Sequence, residues 1–120
     1  MKAETLGDFI IAARKRKDLS ARQLAIALDI SPVYMCNFEK NRQPITDELL
    51  EKMRQLFLLS EEESELFYDL AAIARNTVSA DLPQYIMENE LVRTALRTAK
   101  KNQIPDEKWE KFIKEVIRKE

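Results

Sequence analysis

The chain has 120 residues, with 20 Lys/Arg against 21 Asp/Glu for a net charge of −1, no histidine, one cysteine and one glycine. That length fits one compact domain, or a small domain plus an appendage. A lone thiol, Cys36, excludes an internal disulfide, and without histidine no zinc or other metal site is expected.

No apolar run approaches the roughly eighteen residues of a membrane span. Acids in MKAETLGDF stand where a signal peptide would be apolar, so a cytoplasmic protein with no membrane contact is expected. The near-neutral total hides a pattern. Residues 1–57 carry ten Lys/Arg against eight Asp/Glu, residues 58–90 one against eight, and residues 91–120 nine against five. The distribution is compatible with a nucleic-acid partner without demanding one. With almost no glycine and no alternating β-branched runs, the expected class is all-α.

The first helix is expected from about Leu6 to Lys17, with Thr5 as N-cap and Leu6, Phe9, Ile10 and Ala13 as its inward stripe. Arg14-Lys15-Arg16-Lys17 place positive charge on the last turn, where the helix dipole favours it. Leu19 to Asn41 then read as a short helix, a tight turn and a second short helix. Ser20 caps the first, whose apolar positions are Leu24, Ala25 and Leu28. Ser31-Pro32 starts the second, since Ser is a good N-cap and Pro suits the first helical position. Met35 and Phe38 point inward, Cys36 is expected to be half-buried, and Pro32, Val33, Tyr34, Asn37 and Asn41 lie on or near the outward side. Such a pair is a helix-turn-helix, whose second helix can enter a DNA major groove.

At these residues the chain resembles the Cro/C1-type (XRE family) helix-turn-helix domain of phage repressors. The matching pieces are Arg14 with Leu19-Ser20, Gln23-Leu24-Ala25, Leu28-Asp29-Ile30-Ser31 and Phe38-Glu39-Lys40-Asn41-Arg42. The resemblance implies a lambda-repressor-like five-helix DNA-binding domain and an ion pair between Arg14 and Glu39 near the DNA. It also implies base reading by Pro32, Val33 and Asn37, since Asn can pair with adenine and Val can meet a thymine methyl. Phosphate contacts are expected from Arg22, Ser31, Tyr34, Lys40, Asn41 and Arg42, at helix starts and in the loop after the second motif helix. Ala21 stands where many members have a phosphate-contacting glutamine, which leaves that anchor to Arg22. Asp18, Asp29 and Asn41 occupy positions the family commonly fills with glycine. Asp and Asn are the side chains that best tolerate the left-handed backbone such positions need.

Thr46 is the next N-cap, and Leu49, Leu50, Met53, Leu56 and Phe57 form a stripe to about Leu58. Ser60 caps a fifth helix with acids in its first turn and Leu66, Phe67, Leu70, Ala71, Ile73 and Ala74 as its apolar face. Polar residues 76–81 and Leu82-Pro83 break the chain, because the residue before proline avoids helical dihedrals. The expected division is residues 1–75 for the DNA-binding domain and 76–120 for an extension of about two helices. One runs from about Glu90 to Lys101 with Leu91, Val92, Ala95, Leu96 and Ala99 apolar. The other begins at Asp106 with Trp109, Phe112, Ile113, Val116 and Ile117 on one stripe. That last face needs a partner, within the subunit, across a homodimer, or on another protein.

Three functions compete. A regulator would bind operator DNA as a dimer, most simply as a repressor. An antitoxin-like module would neutralise a partner protein through residues 76–120 and autoregulate its operon. For an enzyme, the usual nucleophiles and general bases are largely missing in a chain without histidine or a glycine-rich phosphate loop, and its carboxylates are set in no recognisable site, so neither catalysis nor a cofactor is expected.

Overall fold

Short polar side chains start the first five helices. The Thr5 hydroxyl accepts from the Asp8 N–H at 3.1 Å to open α1 (Leu6–Arg16). Ser20 and Gln23 close a reciprocal capping box on α2 (Ala21–Ala27), satisfying two donors that a helix start otherwise leaves free. Ser31 caps α3 (Pro32–Glu39), Thr46 caps α4 (Asp47–Phe57), and Ser60 with Glu63 forms a second capping box on α5 (Glu61–Arg75). The computed structural model describes residues 3–118, and within them the fold is all-α.

The ends of α1, α2 and α3 follow one device. Asp18, Asp29 and Asn41 hold left-handed φ values of 57°, 57° and 58°, as their residue types predict. After each, the next amide reaches back to the last turn: Leu19 to Arg14 O at 2.9 Å, Ile30 to Ala25 O at 2.9 Å, and Arg42 to Asn37 O at 2.8 Å. These are Schellman closures, which satisfy carbonyls the helix end leaves open. Leu19 and Ile30 also pack on the core, so each closure carries an apolar contact. Leu58, Asn76 and Gln103 adopt the same conformation at the ends of α4, α5 and α7 (Glu90–Asn102).

Two compact units result, Met1–Pro83 and Gln84–Glu120. In the first, α1 to α5 surround one cluster that includes Phe9, Ile10, Leu24, Met35, Ile45, Leu50, Met53, Phe57 and Phe67, each below 2% exposed. Phe9 and Phe67 stack at 5.0 Å between ring centroids and fix α5 against α1. Burying one such side chain contributes roughly 1.5–3 kcal/mol, so this cluster holds the unit together.

Several details differ from the sequence reading. The first unit runs eight residues past the expected boundary at 75, because Ser79 is buried and its hydroxyl bonds to Asp69. Ile73 is 75% exposed and Ala74 is exposed, since the last turn of α5 passes the edge of the core. The extension contains three helices rather than two. Pro83 breaks the preceding chain but opens α6 (Pro83–Glu88), because its fixed φ and missing N–H suit the first helical position. It is followed by α7 and by α8 (Asp106–Ile117). None of α6, α7 and α8 has a buried residue. Among the described residues, no helix is long and apolar enough to cross a membrane.

Candidate nucleic-acid interface

The turn at 28–31 joins α2 to α3, and the inward residues of both helices fix the pair. Leu24 and Ala25 of α2 and Met35 and Phe38 of α3 are buried in the common core. The opposite side of α3 is open: Pro32, Val33, Tyr34, Cys36 and Lys40 are exposed, and Asn37 is half-buried. Val33 is 71% exposed, which a β-branched apolar residue adopts only where nothing in its own subunit covers it. Of the expected base-reading residues, Pro32, Val33 and Asn37 thus share the outward stripe of one helix. Cys36, expected to be half-buried, is exposed on that stripe, one turn from Val33 and Lys40. Its spacing from those two residues could have placed it there.

Two links tie α1 to the end of α3. Arg14 Nε meets Glu39 Oε2 at 2.7 Å and its Nη2 meets Oε1 at 3.2 Å, a bidentate pair with side chains only 15% and 10% exposed. The remaining Nη1 donates to Leu19 O at 3.3 Å, so one guanidinium holds α1, the α1–α2 turn and α3. The second link was not legible in the sequence. Asn41 Oδ1 accepts the Gly7 N–H at 2.9 Å, and Asn41 Nδ2 donates to Thr5 Oγ1 at 3.2 Å. The side chain after α3 therefore completes the start of α1, using the left-handed backbone at 41 to reach it. Gly7 permits the approach: a Cβ there would lie 2.2 Å from Glu39 O.

The expected phosphate contacts divide. Arg22, Lys40 and Arg42 are exposed cations. Ser31 accepts the Tyr34 N–H at 3.1 Å through its Oγ, which leaves its hydroxyl proton available. Tyr34 is 45% exposed, its ring held 5.3 Å from that of Phe38. Asn41 differs from them, because its acceptor and one donor already serve α1 and its backbone N–H goes to Phe38 O.

The basic run at the end of α1 is partly neutralised. Arg14 goes to Glu39, and Arg16 Nη1 meets Glu63 Oε2 at 2.5 Å. Hydrogen bonding from Arg16, then from the Ser60 N–H, lowers the Glu63 pKa to about 2. Lys15 and Lys17 stay exposed. Trp109, Phe112, Ile113 and Val116 all lie in the second unit. Comparison with protein-family models, with curated proteins and with solved structures finds no match to this chain.

Proposed function

We propose that the chain is a sequence-specific DNA-binding regulator of the Cro/C1 type, a repressor that occupies its operator by laying α3 in the major groove. The observation that carries this reading is the division of α3. Its inward residues are locked in the core and by the Arg14–Glu39 pair, while its outward stripe is uncovered. A rigid helix with an uncovered face can present side chains to base edges in fixed register.

In this reading Arg22, Ser31, Tyr34, Lys40 and Arg42 meet phosphates and set the position of α3, and Asn37 and Val33 read bases. Cys36 joins the base-facing stripe. Asn41 acts as a positioning residue that fixes α3 relative to α1. Because Pro32, Val33 and Cys36 offer few hydrogen bonds, part of the specificity comes from DNA shape. Two copies would read half-sites about one helical turn, ~34 Å, apart. The protein would work in the cytoplasm.

Selection of bound sequences from a random duplex pool tests this, followed by titration of the winner over a range of salt. One enriched motif is expected, with affinity falling steeply as salt rises because phosphate contacts release counterions. An unenriched pool or a flat salt dependence would refute the reading. The other reading, neutralisation of a partner protein through residues 76–120, draws on the uncovered apolar residues of the second unit. It would gain if the pool is unenriched and the chain is monomeric.

A further inference from the structure

The second unit, Gln84–Glu120, has 37 residues. Among the described residues, nine of the sixteen exposed large hydrophobics lie in it. A chain segment below about 40 residues rarely buries enough surface to be stable without a disulfide, a metal or a partner copy. The largest of these residues fall on one stripe of α8. Trp109 is 36% exposed, Phe112 55%, Ile113 52% and Val116 48%. Trp109 and Phe112 meet edge to face at 6.1 Å, so the aromatic part of the stripe has a fixed shape before anything binds it.

The charges around the stripe say what covers it. Along α8 and its cap, Asp106, Glu107 and Glu110 come first and Lys111, Lys114 and Arg118 come last. Lys108 directly precedes Trp109, and Glu115 directly precedes Val116 one heptad later, so both flank the same edge of the apolar stripe. In an antiparallel pair of identical helices, the residue near one end of that edge faces the residue near the other end of the partner. Lys108 of each copy then faces Glu115 of the other, twice over by symmetry, and each acidic start lies beside a basic end. A parallel pair would set acidic start beside acidic start and basic end beside basic end, and would separate Lys108 from Glu115. Flanking charges of this kind fix orientation and partner choice in helix pairs.

We infer that α8 is the self-association surface of this protein and that it pairs antiparallel with α8 of a second copy about a two-fold axis near Phe112. The apolar stripe supplies the contact, and the Lys108–Glu115 edge selects the orientation. The inference rests on the second unit alone and does not depend on DNA reading.

Sedimentation equilibrium of the full chain without DNA tests it, with circular dichroism confirming that each variant keeps its helices. The wild type is expected to be a dimer. Phe112→Asp is expected to give a monomer. Lys108→Glu and Glu115→Lys should each weaken the dimer about tenfold, since each turns two symmetric attractions into repulsions. Exchanging both charges in one chain, K108E with E115K, should restore the wild-type constant, and so should mixing the two single variants. A monomeric wild type would overturn the inference. So would a dimer that survives Phe112→Asp, or single variants that neither weaken the dimer nor are rescued by the exchange.

Discussion

Gly7→Ala should destabilise the first unit, although it replaces the poorest ordinary helix former with the best. In an open helix the change gains up to about 1 kcal/mol. Here the added Cβ would lie 2.2 Å from Glu39 O, 2.8 Å from Glu39 C and 3.0 Å from Asn41 Nδ2. The first of these is about 1 Å inside ordinary contact, and it involves backbone, which cannot rotate away. The start of α1 must therefore lift from the end of α3. Overpacking of this kind costs about 1–3 kcal/mol, and loss of the Gly7–Asn41 hydrogen bond adds about 1 kcal/mol. Set against the propensity gain, the net loss is about 2 kcal/mol, a fall in Tm of roughly 8–16 °C for a unit of this size. Far-UV circular dichroism on heating reads it. A Tm equal to or above that of the wild type would refute the close-approach argument.

Arg14→Ala should cost about 2–4 kcal/mol in urea unfolding, because it leaves the largely buried Glu39 carboxylate without its cation. Adding Glu39→Gln should recover part of that loss, and purely additive effects would show the pair to be uncoupled. Glu63, with its pKa lowered to about 2, stabilises the fold fully above the ordinary carboxylate range of about 4.5, and loses that contribution as pH falls from there toward 2. Glu63→Gln should therefore remove part of the acid loss in stability over that window, and an unchanged difference between variant and wild type from pH 6 to pH 2 would contradict the Arg16 contact. On the proposed DNA reading, Asn37→Ala should cost about 1–3 kcal/mol on the selected site and relax one base preference. Arg42→Ala should weaken all sequences alike and reduce the salt slope by about one unit. Equal loss on all DNA for Asn37→Ala, or an unchanged slope for Arg42→Ala, would move those residues off their assigned contacts.

Much of the first unit was legible because its instructions are local. Thr5, Ser20, Ser31, Thr46 and Ser60 cap the helices they precede, and a cap acts over three residues. Asp18, Asp29 and Asn41 turn left-handed where their side chains permit it. The inward stripes of α1 to α4 follow the helical period. The start of α6 at Pro83 is not legible in the sequence, because the same proline that stops one helix can open the next. Cys36 is exposed although its residue type favours burial, because its place on the outward stripe of α3 decides its environment.

By itself the sequence determined where α1 to α5 begin and end and which face of α1 to α4 turns inward, since capping and apolar period act within a few residues. Only the tertiary structure decided what depends on distant segments meeting. Gly7 lies against Glu39, and Asn41 completes a helix that starts 35 residues earlier at Leu6. A lone helical glycine reads as conformational freedom until another backbone is seen pressed against it. The exposure of the α8 stripe is of the same kind, because an apolar period predicts a buried face and cannot tell which surface will bury it.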